Sequence, residues 1–141
     1  MKKRQKVQTV IFAKDANGQK HFLLLQTNAE RQAFWQNVTG GVDQGESFEE
    51  ASIREAFEET SIQKEYLTKL HGPFQEYFFQ DRWGYHVHEK VFAIELEKIF
   101  DIKIDPSEHQ AFRWIKESEL CPTSVAFESN YHALLEVVRK C

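Results

Sequence analysis

The stretch from residue 40 to residue 62, GGVDQGESFEEASIREAFEETSI, constrains the fold more than any other part of the chain. Ser47 followed three residues later by Glu50 forms a capping box, which predicts that a helix begins at this point. Three glycines at positions 40, 41 and 45 predict a loop directly before that helix. The sequence therefore predicts a glycine loop that leads into a capped helix.

The predicted helix concentrates carboxylates on one side. Glu55 lies three residues before Glu58 and four before Glu59, a spacing that puts all three on the same side of a helix. Like charges at this spacing destabilise an isolated helix by roughly 0.2–0.5 kcal/mol per pair. A bound cation would offset the repulsion, and oxygen ligands of this kind suit Mg²⁺ or Mn²⁺ better than Zn²⁺. An acidic face open to solvent is the other interpretation of the same pattern.

The order of residues in this stretch resembles the signature of the Nudix hydrolases. The signature fixes a glycine, a glutamate, an Arg-Glu pair, an aliphatic position and a Glu-Glu pair, which here are Gly40, Glu46, Arg54-Glu55, Ala56 and Glu58-Glu59. One position departs from it, because the family has glycine where this chain has Ser61. A left-handed turn at that position would cost a serine about 1 kcal/mol. The departure bears on the exit from the helix and not on the carboxylates.

The resemblance implies a metal site. Glu55 and Glu59 are the first implied metal ligands, and Glu58 is the next. The Gly40 carbonyl is the implied backbone ligand. The implied cofactor is Mg²⁺, with Mn²⁺ as a substitute.

Arg54 is predicted to orient the acidic cluster. It lies four residues after Glu50 and four before Glu58, so its guanidinium can pair with either carboxylate. Glu46 is expected to stabilise the loop and not to bind metal.

A further carboxylate is expected from outside the signature. Glu108, in Pro106-Ser107-Glu108-His109 ahead of a strand ending near Trp114, is similar to a glutamate in the C-terminal part of several nucleotide-type Nudix enzymes. We predict Glu108 as catalytic base and metal ligand, against the alternative of an exposed loop residue. His109 could hydrogen-bond a phosphate or have a structural role.

Several aromatic and histidine side chains are candidates for other contacts. Trp35 and Gln36 are predicted to contact the substrate, and Trp83 could also stack on a base, although core packing is the default for aromatic residues. His86 and His88 are two residues apart on a predicted strand, so their side chains point to the same face and could bind zinc. No third ligand follows at a spacing typical of a zinc site. Half-exposed strand histidines are the simpler interpretation.

The segment from Phe34 to Glu46 resembles the branch that contains bacterial dATP and dihydroneopterin triphosphate pyrophosphohydrolases. The implied reaction is metal-dependent cleavage of a nucleoside-triphosphate-like substrate between its α and β phosphates, which gives a monophosphate and pyrophosphate. Hydrolysis of a dinucleoside polyphosphate or a nucleotide sugar is one alternative. A non-catalytic nucleotide-binding module of the same fold is another. A homodimer is left open.

Composition sets the broad class. The 141 residues fit one domain, 1–141, and 41% apolar and 13% aromatic residues are typical of a globular protein. A formal charge of −4 argues against a stable nucleic-acid partner. Cys121 and Cys141 have neither disulfide nor metal spacing, so free thiols in a reducing cytoplasm are expected. The apolar run from 7 to 13 is too short for a signal peptide or a membrane span.

Hydrophobic periodicity predicts the remaining elements. Strands are expected at 7–13 and 21–26 around an Asn-Gly turn, then at 67–79, 85–96 and 111–115. The tail is predicted as an amphipathic helix with an apolar stripe at Tyr131, Leu134, Leu135 and Val138. The order of elements predicts the α/β class. The Nudix resemblance implies an α/β/α sandwich with a central mixed sheet and a loop-helix-loop motif at the edge of a cleft.

Overall fold

The computed structural model describes residues 2–141, so residue 1 of the predicted domain lies outside the described residues. Its strands are β1 (Lys3–Lys14), β2 (Lys20–Thr27), β3 (Trp35–Gln36), β4 (Val38–Gly41), β5 (Leu67–Gln80), β6 (His86–Leu96) and β7 (His109–Lys116). Its helices are α1 (Phe48–Thr60) and α2 (Glu128–Lys140). Each strand predicted from periodicity is present, and β1 and β7 extend beyond their predicted ends.

The strands form one mixed sheet in which β1 is central. β1 pairs antiparallel with β2 and β4 and parallel with β6, while β5 pairs with β6 at one edge. β2 also pairs with β3 and β7. One face of the sheet packs against α1 and the other against α2. The predicted α/β/α sandwich with a central mixed sheet is therefore confirmed.

Alternation along the strands supplies both cores. Val10 and Phe12 face α2, while the alternate residues Ile11 and Ala13 face α1. The same alternation places Phe92, Ile94 and Leu96 on the α1 side of β6.

Small residues set the distance between α1 and the sheet. Ala51, Ser52 and Ala56 are buried on the face of α1 that meets the sheet. The Ser52 hydroxyl lies 2.7 Å from the Thr9 hydroxyl of β1. Because these side chains are short, the helix backbone lies close to β1.

Both ends of α1 follow from its sequence. The Glu50 N–H donates to the Ser47 hydroxyl and the Ser47 N–H donates to the Glu50 carboxylate, so the predicted capping box is confirmed. At the other end Ser61 has φ 59° and ψ 15°, the left-handed conformation expected there. Its hydroxyl donates to the Lys103 carbonyl at 3.0 Å. Serine therefore takes the place that glycine has in the signature.

Two local predictions are wrong in detail. Gly40 and Gly41 belong to strand β4, paired with β1, and not to the loop. The α2 helix buries Asn130, Ala133, Leu134 and Val137, and Leu135 of the predicted stripe is exposed.

Candidate active site

The centre of the site is the carboxylate of Glu59 in the last turn of α1. Oε2 of Glu59 lies 2.9 Å from Nδ1 of His109, and both side chains are 6% exposed. Ligand-type atoms of Glu59, Glu108 and His109 all lie within 4.8 Å of one another. The helix thus brings its most buried glutamate to the start of β7, directly after the predicted base Glu108.

Two carboxyl groups this close cannot both be charged without compensation. Hydrogen bonding to Glu59 and burial raise the pKa of Glu108 from 4.5 to about 7. Arg31, in the loop after β2, acts in the opposite direction and lowers that pKa. The proton that Glu108 therefore retains up to a higher pH reduces the repulsion between the two carboxyl groups when no cation is present.

A second loop fixes the position of Glu108. The Asn28 N–H donates to the Glu108 carbonyl at 3.2 Å, and the Asn28 side-chain amide donates to the Pro106 carbonyl at 3.2 Å. Asp105 closes the turn by accepting from Ser107. The loop at 105–108 is therefore tied to the segment after β2, and Glu108 faces Glu59 from a defined turn.

Glu55 lies one turn before Glu59 and packs against Gly40. A β-carbon at residue 40 would fall 2.5 Å from Cγ and Oε1 of Glu55, so only glycine leaves room for the carboxylate. Burial raises the pKa of Glu55, and Arg54 opposes this by donating to its carboxylate. The predicted contributors Gly40 and Glu55 are thus in contact.

Arg54 joins the loop to the helix. Nε and Nη2 donate to the two oxygens of Glu46 at 2.8 and 3.0 Å, while Nη1 donates to Glu55 at 2.9 Å and to Glu58 at 3.2 Å. Nη2 also donates to the Gly41 carbonyl at 2.8 Å. The bidentate pair lowers the pKa of Glu46. The orienting role of Arg54 stays a prediction that these contacts support.

Arg54 pairs with one of its two predicted partners. Arg54 pairs with Glu58 and not with Glu50, whose carboxylate caps the helix instead. Its main partner, Glu46, stands eight residues away and had been expected only to stabilise the loop.

The three signature carboxylates share one side of α1 but differ in depth. Exposed fractions of the side chains are 57% for Glu58, 14% for Glu55 and 6% for Glu59. Glu59 and Glu55 therefore face the interior of the site, and Glu58 lies at its rim.

The donor set fits a divalent cation. Oε2 of Glu59 and both ring nitrogens of His109 are buried without a hydrogen-bond partner, because the short contact between them is poorly aligned for a hydrogen bond. Buried acceptors are normally satisfied by a donor or an ion. A cation beside Glu59 and Glu108 would satisfy the buried Glu59 oxygen and replace the proton on Glu108.

The other predicted residues lie elsewhere in the fold. Trp35 packs on the α2 side of the core beneath the Arg113 guanidinium, 4.4 Å from the ring centroid. Gln36 is half-buried in β3, so contact of either with a substrate stays a prediction. Trp83 is exposed in the β5–β6 turn.

The histidines of β6 are not part of a metal-type cluster within residues 2–141. His88 pairs with Glu76, and His86 is exposed. The sequence argument missed the contact of His109 with Glu59, since the two residues are distant in sequence. The Glu-His pair in the 106–109 segment was the available signal.

No described helix has the length and apolar character that crossing a membrane requires.

Several known proteins are similar to this chain in sequence and in fold. A family model described as the NUDIX domain matches residues 3–136. Dihydroneopterin triphosphate diphosphatase of Haemophilus influenzae is 34% identical over 124 residues, which cover 81% of this chain and 75% of that protein. The asymmetrical bis(5'-nucleosyl)-tetraphosphatase of Rattus norvegicus is 34% identical over 105 residues, 71% of this chain and 67% of that protein.

Further similarity extends over the whole chain. RNA pyrophosphohydrolase of Bartonella clarridgeiae is 28% identical over 138 residues, 87% of this chain and 79% of that protein. The structure of the E. coli dihydroneopterin triphosphate pyrophosphohydrolase superposes with a TM-score of 0.79 at 26% identity, and the match covers 100% of both chains. Because the NUDIX domain model matches residues 3–136 and the signature is intact except at Ser61, the chain belongs to the Nudix hydrolase family.

Proposed function

We propose that this protein hydrolyses a nucleoside-triphosphate-like substrate, such as dATP or dihydroneopterin triphosphate, between the α and β phosphates. The observation that carries the proposal is the group formed by Glu59, Glu108 and His109, whose ligand-type atoms lie within 4.8 Å of one another, with the half-buried Glu55 one turn earlier on α1. Similarity to the dihydroneopterin triphosphate enzymes supports the substrate class.

The chemistry assigns a task to each residue. Glu59, Glu108 and Glu55, with the Gly40 carbonyl, would hold Mg²⁺ or Mn²⁺, which supplies charge neutralisation and a more acidic water. Arg54 orients Glu55 and Glu58 through the hydrogen bonds described above. Glu108 or Glu55 accepts the proton of the attacking water. The water oxygen bonds to phosphorus, the bridging P–O bond breaks, and pyrophosphate leaves the monophosphate.

Hydrolysis of a dinucleoside polyphosphate is the second candidate. The 34% identity to the rat tetraphosphatase favours it, since that relative covers the signature and its flanks. Both candidates use the same carboxylates and differ in the leaving group. A small-molecule substrate and a cytoplasmic location stay predictions.

A hydrolysis screen separates these reactions. The protein is incubated with Mg²⁺ and a panel of dATP, dihydroneopterin triphosphate, diadenosine tetraphosphate and a nucleotide sugar, and products are identified by ³¹P NMR. Monophosphate and pyrophosphate from a triphosphate are the expected result. Exclusive turnover of diadenosine tetraphosphate or of the nucleotide sugar would contradict the substrate proposal, and tight nucleotide binding without any turnover would favour a binding module.

Substitution at Glu55 tests the roles of the residues. Glu55→Gln is expected to lower kcat by orders of magnitude while the circular dichroism spectrum stays unchanged. Titration with Mn²⁺ then distinguishes the roles, because loss of a ligand raises the Kd for the ion, whereas loss of the base lowers kcat at an unchanged Kd.

A further inference from the structure

A large cleft lies beside the site, on the other side of the loop that carries Glu46. Its volume is about 1060 Å³, comparable to a small-molecule site, and its walls are the segment 41–46 and the ends of β1, β5 and β6. The cluster of Glu59, Glu108 and His109 does not line it. The hydrolytic site proposed above therefore leaves this cleft without a role.

A stack of rings leads into the cleft from α1. His88 meets the edge of Phe48, the first residue of α1, with ring centroids 5.0 Å apart. Phe78 stacks on His88 with centroids 4.4 Å apart and planes inclined by 14°. Phe78 is nevertheless 73% exposed, so one face of its ring is covered and the other is open. An open aromatic face in a cleft suits a planar ring of a ligand.

One basic residue of the cleft is available to bind an anion. Its acidic residues, Asp43 and Glu46, lie 3.5 and 2.8 Å from the guanidinium of Arg54. Among its basic residues, Arg4 is engaged by Asp81 at 3.7 Å. Lys3 is exposed and has no salt-bridge partner among residues 2–141. The cation left for a ligand is therefore Lys3, in the same cleft as the open ring of Phe78.

We propose that this cleft binds a nucleotide as a second site, with the base stacked on Phe78 and the phosphate held by Lys3. A base and a phosphate in one molecule match the two features that the cleft combines. The proposal does not rest on the hydrolytic function, because it uses neither Glu59 nor Glu108 and needs no metal ion.

The test is binding of AMP to the full chain in EDTA, measured by isothermal titration calorimetry. Phe78→Ala is expected to raise the Kd for AMP about tenfold or more, the usual contribution of base stacking. Lys3→Ala is expected to raise the Kd for AMP as well. The matched controls are Phe127→Ala, an exposed phenylalanine outside the cleft, and Lys64→Ala, an exposed lysine outside it. Both are expected to bind AMP as the unmodified protein does.

Further measurements make the result decisive. Ribose 5-phosphate, which lacks the base, is expected to bind at least about tenfold more weakly than AMP. Glu59→Gln is expected to leave the Kd for AMP unchanged, which would place the bound nucleotide outside the metal-type cluster. No saturable AMP binding, or an unchanged Kd in Phe78→Ala, would overturn the proposal.

Occupation of the cleft by a second copy of this chain, in place of a nucleotide, would give a different result. If Phe78→Ala changes a dimer into a monomer in light scattering and AMP has no effect, the cleft is an interface between copies and the proposal is wrong. The hydrolysis screen with Mg²⁺ is a separate measurement, so failure of AMP binding in EDTA and failure of the proposed hydrolysis are distinguishable.

Discussion

The carboxylate of Glu55 occupies the space that a side chain on Gly40 would fill. A β-carbon there would lie 2.5 Å from Oε1 of Glu55, well inside van der Waals contact. The glycine that opens the signature is thus needed for the position of the glutamate fifteen residues later and not for a turn, since Gly40 is in a paired strand.

Gly40→Ala is expected to displace Glu55 and to lower kcat about a hundredfold, the effect of a misplacement of about 1 Å in an active site. The melting temperature should change little, because the end of a side chain can move. The matched control is Gly41→Ala, where a β-carbon would meet nothing within 4 Å. Equal kcat values for the two variants would show that contact with Gly40 does not position Glu55.

His109→Ala is expected to raise the Kd for Mn²⁺ about 10- to 100-fold, as loss of a group that orients a metal ligand usually does. The physical reason is the contact of Nδ1 with Glu59, which holds the carboxylate in place. Calorimetric titration with Mn²⁺ measures the effect. His132→Ala, at an exposed histidine of α2, is the control and should bind as the unmodified protein does. A normal Kd in His109→Ala would assign His109 to core packing alone.

The stability of the metal-free protein is expected to fall as the pH rises from 4.5 to 7. In that range the folded protein retains the proton on Glu108, whose pKa is raised to about 7, while the unfolded chain has released it. The unfolded state therefore binds fewer protons, and the free energy of unfolding decreases with pH.

Glu108→Gln isolates this effect, because the variant has no carboxyl group to titrate at that position. Urea unfolding in EDTA at pH 4.5, 6 and 7.5 measures the difference in free energy of unfolding between the two proteins. We expect the unmodified protein to lose stability relative to Glu108→Gln across the series. A difference that is constant with pH would contradict the raised pKa of Glu108.

Ser61 tests the cost of the left-handed helix end. Ser61→Gly and Ser61→Ala both lose the hydroxyl that donates to Lys103, but only alanine keeps a β-carbon at φ 59°. Ser61→Gly should therefore have a free energy of unfolding about 1 kcal/mol above that of Ser61→Ala. Denaturant unfolding measures the pair directly, and equal values would mean that the left-handed conformation carries no penalty here.

Arg54→Ala is expected to lower the free energy of unfolding by about 1.5–3 kcal/mol, since partly buried carboxylates lose charged hydrogen bonds. Arg54→Lys should recover only part of this, because an ammonium group cannot reproduce the bidentate contact with Glu46. Arg139→Ala removes an exposed ion pair with Glu136 and should stay within about 0.5 kcal/mol of the unmodified protein. Equal losses for Arg54→Ala and Arg139→Ala would contradict the structural importance of Arg54.

Local chemistry made much of the fold predictable. The capping box at Ser47, the Asn-Gly turn and the left-handed position at Ser61 depend on neighbours in sequence, and all are present. The alternation along β6, with Phe92 and Ile94 on one face and Val91 and Ala93 on the other, is likewise a local property of the sequence.

Contacts between distant residues were not predictable in the same way. The pairing of Arg54 with Glu46 depends on how the glycine loop folds back, and the contact of Glu59 with His109 depends on β7 lying beside α1. The buried face of α2 was predicted only in part, because it also includes Asn130, whose side chain accepts from the Asn37 N–H at 2.8 Å. A hydrophobic stripe cannot predict a helix face that includes a satisfied amide.

The short side chains beneath α1 have a consequence for how the enzyme can change. Ala51, Ser52 and Ala56 fix the height of the helix above β1, so they also fix the separation of Glu59 from the 105–109 loop. A single added methyl group at Ala56 would move α1 away from the sheet and separate Glu59 from Glu108. Substitutions that change substrate preference should therefore be tolerated around Phe78, whereas larger side chains at Ala51, Ser52 or Ala56 should abolish activity.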